Sequence, residues 1–176
     1  MPSGSLSLWL QPEPVGAAEL AALIGRLAAV HDTAEFAAHV TMLGAVRAEV
    51  GSALRTLGAL ADRLTAFYVA FEELACQLPR HRSVYLRAAP NPELAVAYEA
   101  CVRAFGADQP AFEPHLSLQY SHLPLADKQR LAGGVGLPLP VRFRFDRLSL
   151  WHTGAADARR WRQLGARPLA GEVRTG

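Results

Sequence analysis

The sequence lacks several features that would assign it to a common class of protein. It has two cysteines, Cys76 and Cys101, without close spacing, so we expect buried thiols rather than a disulfide framework. No apolar run reaches the roughly 18 residues of a membrane span. Residues 1–11 carry no basic residue before their short apolar stretch, which is not the pattern of a secretory signal. We therefore expect a soluble, cytoplasmic protein.

Motifs for several kinds of chemistry are also missing. The sequence has neither a His-Glu-x-x-His motif nor paired-cysteine spacing, so no metal site is expected. It has no Gly-x-Ser-x-Gly motif, which argues against a serine nucleophile. The glycines of Gly133-Gly-Val-Gly136 do not connect a strand to a helix, which argues against a phosphate-binding glycine loop.

Charged residues are few and unevenly placed. The 176 residues carry 18 Lys+Arg against 16 Asp+Glu, and Lys128 is the only lysine. Residues 141–176 contain eight arginines and three acidic residues. Such a segment can face an anionic ligand, although a solvated strand surface is the more ordinary interpretation. Apolar residues make up 51%, which is enough for the core of one domain spanning residues 1–176.

Hydrophobic periodicity predicts an α+β fold. Alternating segments predict strands at residues 5–10, 36–46, 65–76, 83–89, 113–121, 141–151 and 160–164. Helical spacing predicts helices at residues 17–30, 48–64, 91–105 and 126–132. Asn91-Pro92 fits a helix start, because asparagine caps a helix and proline suits its first turn. Hairpin-like pairs of strands favour antiparallel sheets.

Two similar stretches stand out within the predicted strands. Phe36-Ala-Ala-His39-Val-Thr41-Met42 and Phe112-Glu-Pro-His115-Leu-Ser117-Leu118 both follow the pattern Phe-x-x-His-apolar-hydroxyl-apolar. Alternate residues of a strand point to the same face, so each histidine shares a face with the hydroxyl two positions on. If the two strands face each other, two imidazoles and two hydroxyls surround one small site.

This set of side chains suits phosphoryl chemistry. A neutral imidazole can deprotonate an attacking water, and a protonated one can supply a proton to a leaving alkoxide. The unperturbed pKa of histidine, roughly 6.5, allows both roles near neutral pH. The hydroxyls of Thr41 and Ser117 can donate hydrogen bonds to phosphate oxygens, where charge accumulates in the transition state. His39 and His115 are therefore the candidate catalytic pair.

On these motifs the chain resembles the two-histidine (2H) phosphoesterase superfamily, and most of all its cyclic phosphodiesterase group. The resemblance extends to the opening strand around Trp9, to Tyr120 five positions after the second histidine, and to the closing Leu150-Trp151-His-Thr153 with Trp161. One departure is Ala38 before the first histidine, where proline is common in the family.

The resemblance implies a duplicated fold of two pseudo-symmetric lobes, with antiparallel sheets facing a central cleft and helices outside. It implies hydrolysis of nucleoside 2′,3′-cyclic phosphates or ADP-ribose 1″,2″-cyclic phosphate to a 2′-type monophosphate, without metal or cofactor. His39, Thr41, His115 and Ser117 match the family's catalytic positions. Tyr120 and Trp9 match positions that line the pocket, Tyr120 as a partner of phosphate or of a histidine and Trp9 by stacking on a base or ribose.

Two alternatives remain open at this point. A 2′-5′ RNA ligase-like protein would act on RNA ends that carry a 2′,3′-cyclic phosphate, with salt-dependent affinity. A binding module would hold a nucleotide phosphate without turnover, although it would not need a paired acid and base. We expect a monomer. His115 is the suggested base and His39 the suggested acid, but the sequence does not order them.

Other side chains are weaker candidates. Tyr85 and Arg87 alternate on a predicted strand and can share the face of the site, although a surface pair is the simpler interpretation. The remaining histidines are ordinary surface residues or lie at the rim of the site. These are His31, His81, His122 and His152.

Overall fold

A computed structural model describes residues 5–108 and 111–171. The strands of this part of the chain are β1 (Leu6–Pro12), β2 (Val40–Val46), β3 (Phe67–Cys76), β4 (Val84–Ala88), β5 (His115–Gln119), β6 (Val141–His152) and β7 (Arg162–Pro168). Its α-helices are α1 (Pro14–Val30), α2 (Val50–Ala61), α3 (Pro92–Phe105) and α4 (Leu125–Gly133). Short 3₁₀ turns occupy Arg80–Arg82 and Ala158–Arg160.

Six of these strands form a closed antiparallel barrel in the order β1-β2-β5-β4-β3-β6, and β6 returns to β1. The long strand β6 closes the ring, because Val141–Phe145 pairs with β3 while Phe145–His152 pairs with β1. Strand β7 pairs with the second half of β6. The pairing of β2 with β5 is the shortest in the ring and consists of Val40 opposite Leu116.

The core lies between the barrel wall and the helices. Leu6, Leu8 and Leu10 alternate along β1 and are at most 2% exposed. Helix α1 packs on β1 and β5, α3 on β2 and β3, α4 on β3 and β4, and α2 on β6 and β7. Each fully buried leucine contributes about 1.5–3 kcal/mol relative to an exposed one. The other face of each strand points away from the helices, and this is the face that carries the polar motif residues.

The expected mixture of helices with antiparallel strands is confirmed, with shifted boundaries. Helix α1 begins at Pro14, three residues earlier than expected, because proline is well suited to the first helical turn. Asn91 caps α3 as expected, and its Oδ1 accepts a hydrogen bond from the Leu94 amide at 2.8 Å. Strand β2 begins at Val40, so the expected strand portion from residue 36 to 39 lies outside the ladder.

The structure also bears on the expectations about the cysteines and about membrane-spanning helices. Cys76 and Cys101 are free thiols, of which Cys101 is buried and has its pKa raised to about 12 by that burial. No helix within residues 5–108 and 111–171 is both long and apolar enough to cross a membrane. The division of the barrel into two lobes around a cleft stays a prediction.

Candidate active site

The register of β2 against β5 places the four motif side chains on one face. Val40 lies opposite Leu116, and both are fully buried in the core. Their neighbours in sequence therefore point to the other side of the wall. His39 and Thr41 flank Val40, and His115 and Ser117 flank Leu116, so the four side chains lie on both sides of the single bridge between the two strands.

Each histidine makes the same kind of hydrogen bond to the backbone two residues before it. His39 Nδ1 lies 2.6 Å from the Ala37 carbonyl oxygen, and His115 Nδ1 lies 2.8 Å from the Glu113 carbonyl oxygen. A carbonyl only accepts, so Nδ1 must carry the proton in each ring. The neutral form of each imidazole therefore leaves Nε2 unprotonated and able to take a proton. The two rings share one tautomer, which the backbone two residues earlier selects.

The surroundings of the two rings differ. His39 is 4% exposed and stacks on Trp9, with ring centroids 3.5 Å apart and planes 5° from parallel. Burial lowers the pKa of His39 to about 3; the hydrogen bond that Nδ1 donates to the Ala37 carbonyl opposes this, and the neighbouring His115 lowers the pKa further. His39 is therefore neutral at physiological pH.

His115 lies in a more polar and more open position. Burial lowers its pKa, the hydrogen bond to the Glu113 backbone opposes this, Arg82 lowers the pKa further and the Glu113 carboxylate raises it. Its ring meets Tyr85 edge-on at 5.3 Å between centroids. A cavity of about 170 Å³ opens beside it, lined by Arg82, Tyr85, Arg87, Ala88, Glu113, Pro114 and His115. This volume is below the roughly 300–1,000 Å³ of ordinary ligand pockets, so it suits a small anionic group.

Ser117 and Tyr120 lie on the His81 side of the site. The Ser117 hydroxyl donates to the His81 carbonyl oxygen at 3.0 Å. Burial raises the pKa of Tyr120 to about 12, so Tyr120 stays protonated at neutral pH. Its ring stacks on Phe36 at 4.1 Å.

The Trp9 side chain lies between two other aromatic rings. One face of its indole covers His39 and the other lies 4.3 Å from Trp151, so neither face is open to a base or ribose. The side chain is 2% exposed. Both indole faces are therefore covered by other rings in this structure, and the role of Trp9 as a stacking surface for a ligand stays a prediction. Thr41, opposite Trp9 in the register of β1 and β2, is half-buried beside this stack.

Two further pairs of residues surround the site, and the sequence indicates them unequally. Tyr85 pairs with Ser117 and Arg87 with His115 across β4 and β5, so this strand pair belongs to the site. Their alternation on a strand was the available signal. Arg82 and His81 lie on a 3₁₀ turn, where no periodicity marks them.

A second cavity of about 620 Å³ lies on the Tyr120 side. It is lined by His31, Thr33, Ala34, Arg80, Tyr120, Ser121, His122, Leu123, Pro124, Ala156, Asp157 and Arg159. Two of the weaker histidine candidates therefore line a cavity, whereas His152 lies in the β6 ladder opposite Leu6. Across residues 5–108 and 111–171, no three His, Cys, Asp or Glu side chains come together as a metal site.

A closed antiparallel barrel that holds two His-x-hydroxyl motifs on adjacent strands defines a two-histidine phosphoesterase. The sequence profile of the 2′-5′ RNA ligase superfamily matches residues 12–157, and the chain belongs to this superfamily. Membership confirms the resemblance drawn from the motifs and places the chain among phosphodiester-cleaving or RNA-ligase-like proteins. No curated protein sequence gives a significant match.

Solved structures show the same fold at low identity. Escherichia coli LigT in complex with 3′-AMP is 19% identical, with a TM-score of 0.61 over 95% of this chain and 98% of that one. The protein TT0787 of Thermus thermophilus is 15% identical, with a TM-score of 0.62 over 96% of this chain and 99% of that one. At these identities the likeness establishes the fold.

Proposed function

We propose that this protein hydrolyses a ribose cyclic phosphate to a 2′-type monophosphate without a metal ion. A nucleoside 2′,3′-cyclic phosphate or ADP-ribose 1″,2″-cyclic phosphate is the expected substrate. The observation that carries the proposal is the matched pair of imidazoles, each anchored through Nδ1 to a carbonyl and each leaving Nε2 available. Nucleotide binding is supported by E. coli LigT of the same fold, crystallised with 3′-AMP and with NADP⁺.

In the proposed reaction, one histidine takes a proton from water as the water oxygen bonds to phosphorus. The bond from phosphorus to the 3′ oxygen breaks, and the second histidine gives its proton to that oxygen. Thr41 and Ser117 donate hydrogen bonds to the non-bridging oxygens. The substrate lies over the face of β2 and β5 that carries the four motif side chains, in the cleft expected from the family resemblance.

The surroundings of the two rings favour His39 as the base and His115 as the acid, which reverses the order suggested from the sequence. His39 is neutral in the free protein because it is buried against Trp9. Burial lowers the pKa of His115 as well, but the hydrogen bond to the Glu113 backbone and the Glu113 carboxylate act against this, and a bound phosphate would act in the same raising direction. Environments that separate two pKa values assign the acid and the base.

Turnover of 2′,3′-cyclic AMP, followed by chromatography of the product, tests the proposal. His39→Ala and His115→Ala should each slow hydrolysis by roughly 10²–10⁴-fold, the usual contribution of general acid–base catalysis. His152→Ala is the matched control, because His152 lies in the β6 ladder outside the motif strands. Near-normal turnover by both motif variants would end the proposal, and binding without any product would favour a non-catalytic module.

The order of base and acid has its own test. The p-nitrophenolate of a p-nitrophenyl phosphodiester leaves without needing a proton. Activity on this substrate should therefore largely survive loss of the acid but not loss of the base. We expect His115→Ala to recover most of its relative activity on the activated ester and His39→Ala to recover little. The reverse pattern would restore His115 as the base.

An RNA end is the second candidate substrate. The cavity of about 620 Å³ beyond Tyr120 has room for more than a phosphate and carries Arg80 and Arg159 on its wall. Competition between 2′,3′-cyclic AMP and a short oligonucleotide ending in a cyclic phosphate separates the two substrates. A preference for the oligonucleotide that weakens steeply with salt would favour RNA. Equal turnover would favour the mononucleotide.

A further inference from the structure

The segment that joins β3 to β4, residues 77–83, is fixed firmly at both ends. Lys128 is fully buried, and its Nζ donates to the carbonyls of Gln77 at 2.9 Å and Leu78 at 2.8 Å. At the other end, the Ser83 and Ser121 hydroxyls form a buried hydrogen bond of 2.6 Å. These anchors hold the base of the segment against α4 and the end of β5.

The middle of the segment, residues 80–82, crosses the site and is held by hydrogen bonds and an ion pair nearer the surface. The His81 carbonyl accepts a hydrogen bond from the Ser117 hydroxyl at 3.0 Å. Arg82 forms an ion pair with Glu113, whose side chain is 61% exposed, and Arg80 donates to the Ala156 carbonyl. Pairs as exposed as the one between Arg82 and Glu113 contribute little to stability, so an anion can displace them.

This arrangement occupies the groups that a phosphate would need. The Ser117 hydroxyl has one hydrogen. While it is hydrogen-bonded to the His81 carbonyl, Ser117 cannot donate to a phosphate oxygen. Arg82 lines the cavity of about 170 Å³ next to His115, but its guanidinium is engaged by a carboxylate. Phosphate competes for both groups with oxygens that accept the same hydrogen bonds.

We propose that Arg82 is a phosphate ligand of this protein, held back by Glu113 in the free form, and that the incoming phosphate displaces the Pro79–Arg82 turn from Ser117. The proposal rests on the proposed function, because it takes the site between His39 and His115 as the phosphate site. One displacement would free a hydroxyl and a guanidinium together. Glu113 then acts as an internal competitor of the substrate.

Arg87 lines the same cavity but is held differently. It lies on β4 opposite His115, so its backbone is fixed by the ladder. Its guanidinium is paired with Glu73 at 2.8 Å across β3 and β4. Arg82 lies outside the ladder on a 3₁₀ turn, where its carbonyl accepts a hydrogen bond from the Gln77 amide at 2.8 Å, so its side chain can leave Glu113 without breaking strand pairing. The planar guanidinium of Arg82 also matches two phosphate oxygens at once.

Calorimetric titration with inorganic phosphate tests this assignment. Arg82→Ala should weaken phosphate binding about tenfold, the usual loss of one charge-assisted hydrogen-bonding group. Glu113→Gln should tighten binding about threefold, because the competing carboxylate is gone. The double variant should bind within about twofold of Arg82→Ala, since most of the effect of Glu113 on phosphate passes through Arg82 and a smaller part through the His115 imidazole. Arg82→Lys should recover part of the loss.

A purely structural ion pair predicts another pattern. Both single variants would then loosen the same turn and shift phosphate affinity in the same direction. That result, or an effect of Arg82→Ala below twofold, would overturn the proposal. Glu99→Gln, which breaks the exposed pair with Arg103 on α3, is the matched control and should change nothing.

The outcome separates this proposal from the proposed function. Opposite shifts in phosphate affinity without turnover of any cyclic phosphate would uphold Arg82 and refute the hydrolase. Turnover by the wild-type protein with unchanged phosphate binding by Arg82→Ala would uphold the hydrolase and refute Arg82. Thermal unfolding of each variant checks that all of them are folded at the titration temperature.

Discussion

The buried state of His39 should make the protein sensitive to acid in a way that one substitution abolishes. Its pKa is about 3 in the folded protein against 6.5 for an ordinary histidine. The unfolded chain therefore takes up a proton at this residue between pH 6.5 and 3 while the folded protein does not. Stability from this residue is intact above pH 6.5 and is lost as the pH falls toward 3.

The size of the loss follows from the separation of the two pKa values. Each pH unit below the unfolded pKa costs about 1.4 kcal/mol of unfolding free energy, so lowering the pH from 7 to 5 should cost about 2 kcal/mol through His39 alone. His39→Asn is the matched variant. The asparagine amide occupies the place of Nδ1 and can still donate to the Ala37 carbonyl, but it does not titrate.

Urea unfolding of both proteins at pH 7 and pH 5 measures the effect. Any cavity left by asparagine lowers stability equally at both pH values, and the two proteins differ at no other residue, so these contributions cancel. We expect the wild type to lose about 2 kcal/mol more than His39→Asn between the two pH values. Equal losses would show that His39 titrates as a solvated histidine, and the stacked, buried geometry would then be wrong.

Three further substitutions probe the packing around the site, each by denaturant unfolding at pH 7. Trp9→Ala should lower the free energy of unfolding by roughly 3–5 kcal/mol, because the indole is buried between two rings; a loss below 1 kcal/mol would mean that the indole faces solvent. Lys128→Met should cost roughly 1–3 kcal/mol, since two carbonyls lose their donor; a more stable variant would contradict this role. Gly58→Ala should stabilise α2 by about 0.5–1 kcal/mol, because the added Cβ meets no atom within 4 Å, and any destabilisation would contradict that open space.

Elements whose limits are set by local chemistry could be predicted closely. Helix α3 begins at Pro92, as Asn91-Pro92 indicates, because capping depends on adjacent residues. The start of β2 could not be predicted in this way. Residues 36–39 continue the alternation of the strand, but a strand also needs a partner, and β5 pairs with β2 at Val40 alone. Closure of the barrel through β6 likewise depends on contacts distant in sequence.

In the candidate site too, local patterns predict some features, while others depend on contacts between residues distant in sequence. Period-two alternation predicts that each histidine shares a face with its hydroxyl, and the register of Val40 with Leu116 agrees with that expectation. The position of Trp9 under His39 depends on the pairing of β1 with β2, which the sequence does not reveal. Arg82 reaches the site from a turn, so no pattern in the chain identifies it.

The repeated motif accounts for what the two histidines have in common, and their neighbours account for what separates them. Each motif supplies a carbonyl two residues before the histidine, and this sets the same tautomer twice. The matched phenylalanines already diverge, since Phe36 stacks on Tyr120 within the site whereas Phe112 stacks on Tyr98 of α3. Beyond the motifs, an indole covers one ring and charged side chains surround the other. An acid–base pair needs this combination, because two identical rings in identical surroundings would hold their protons equally.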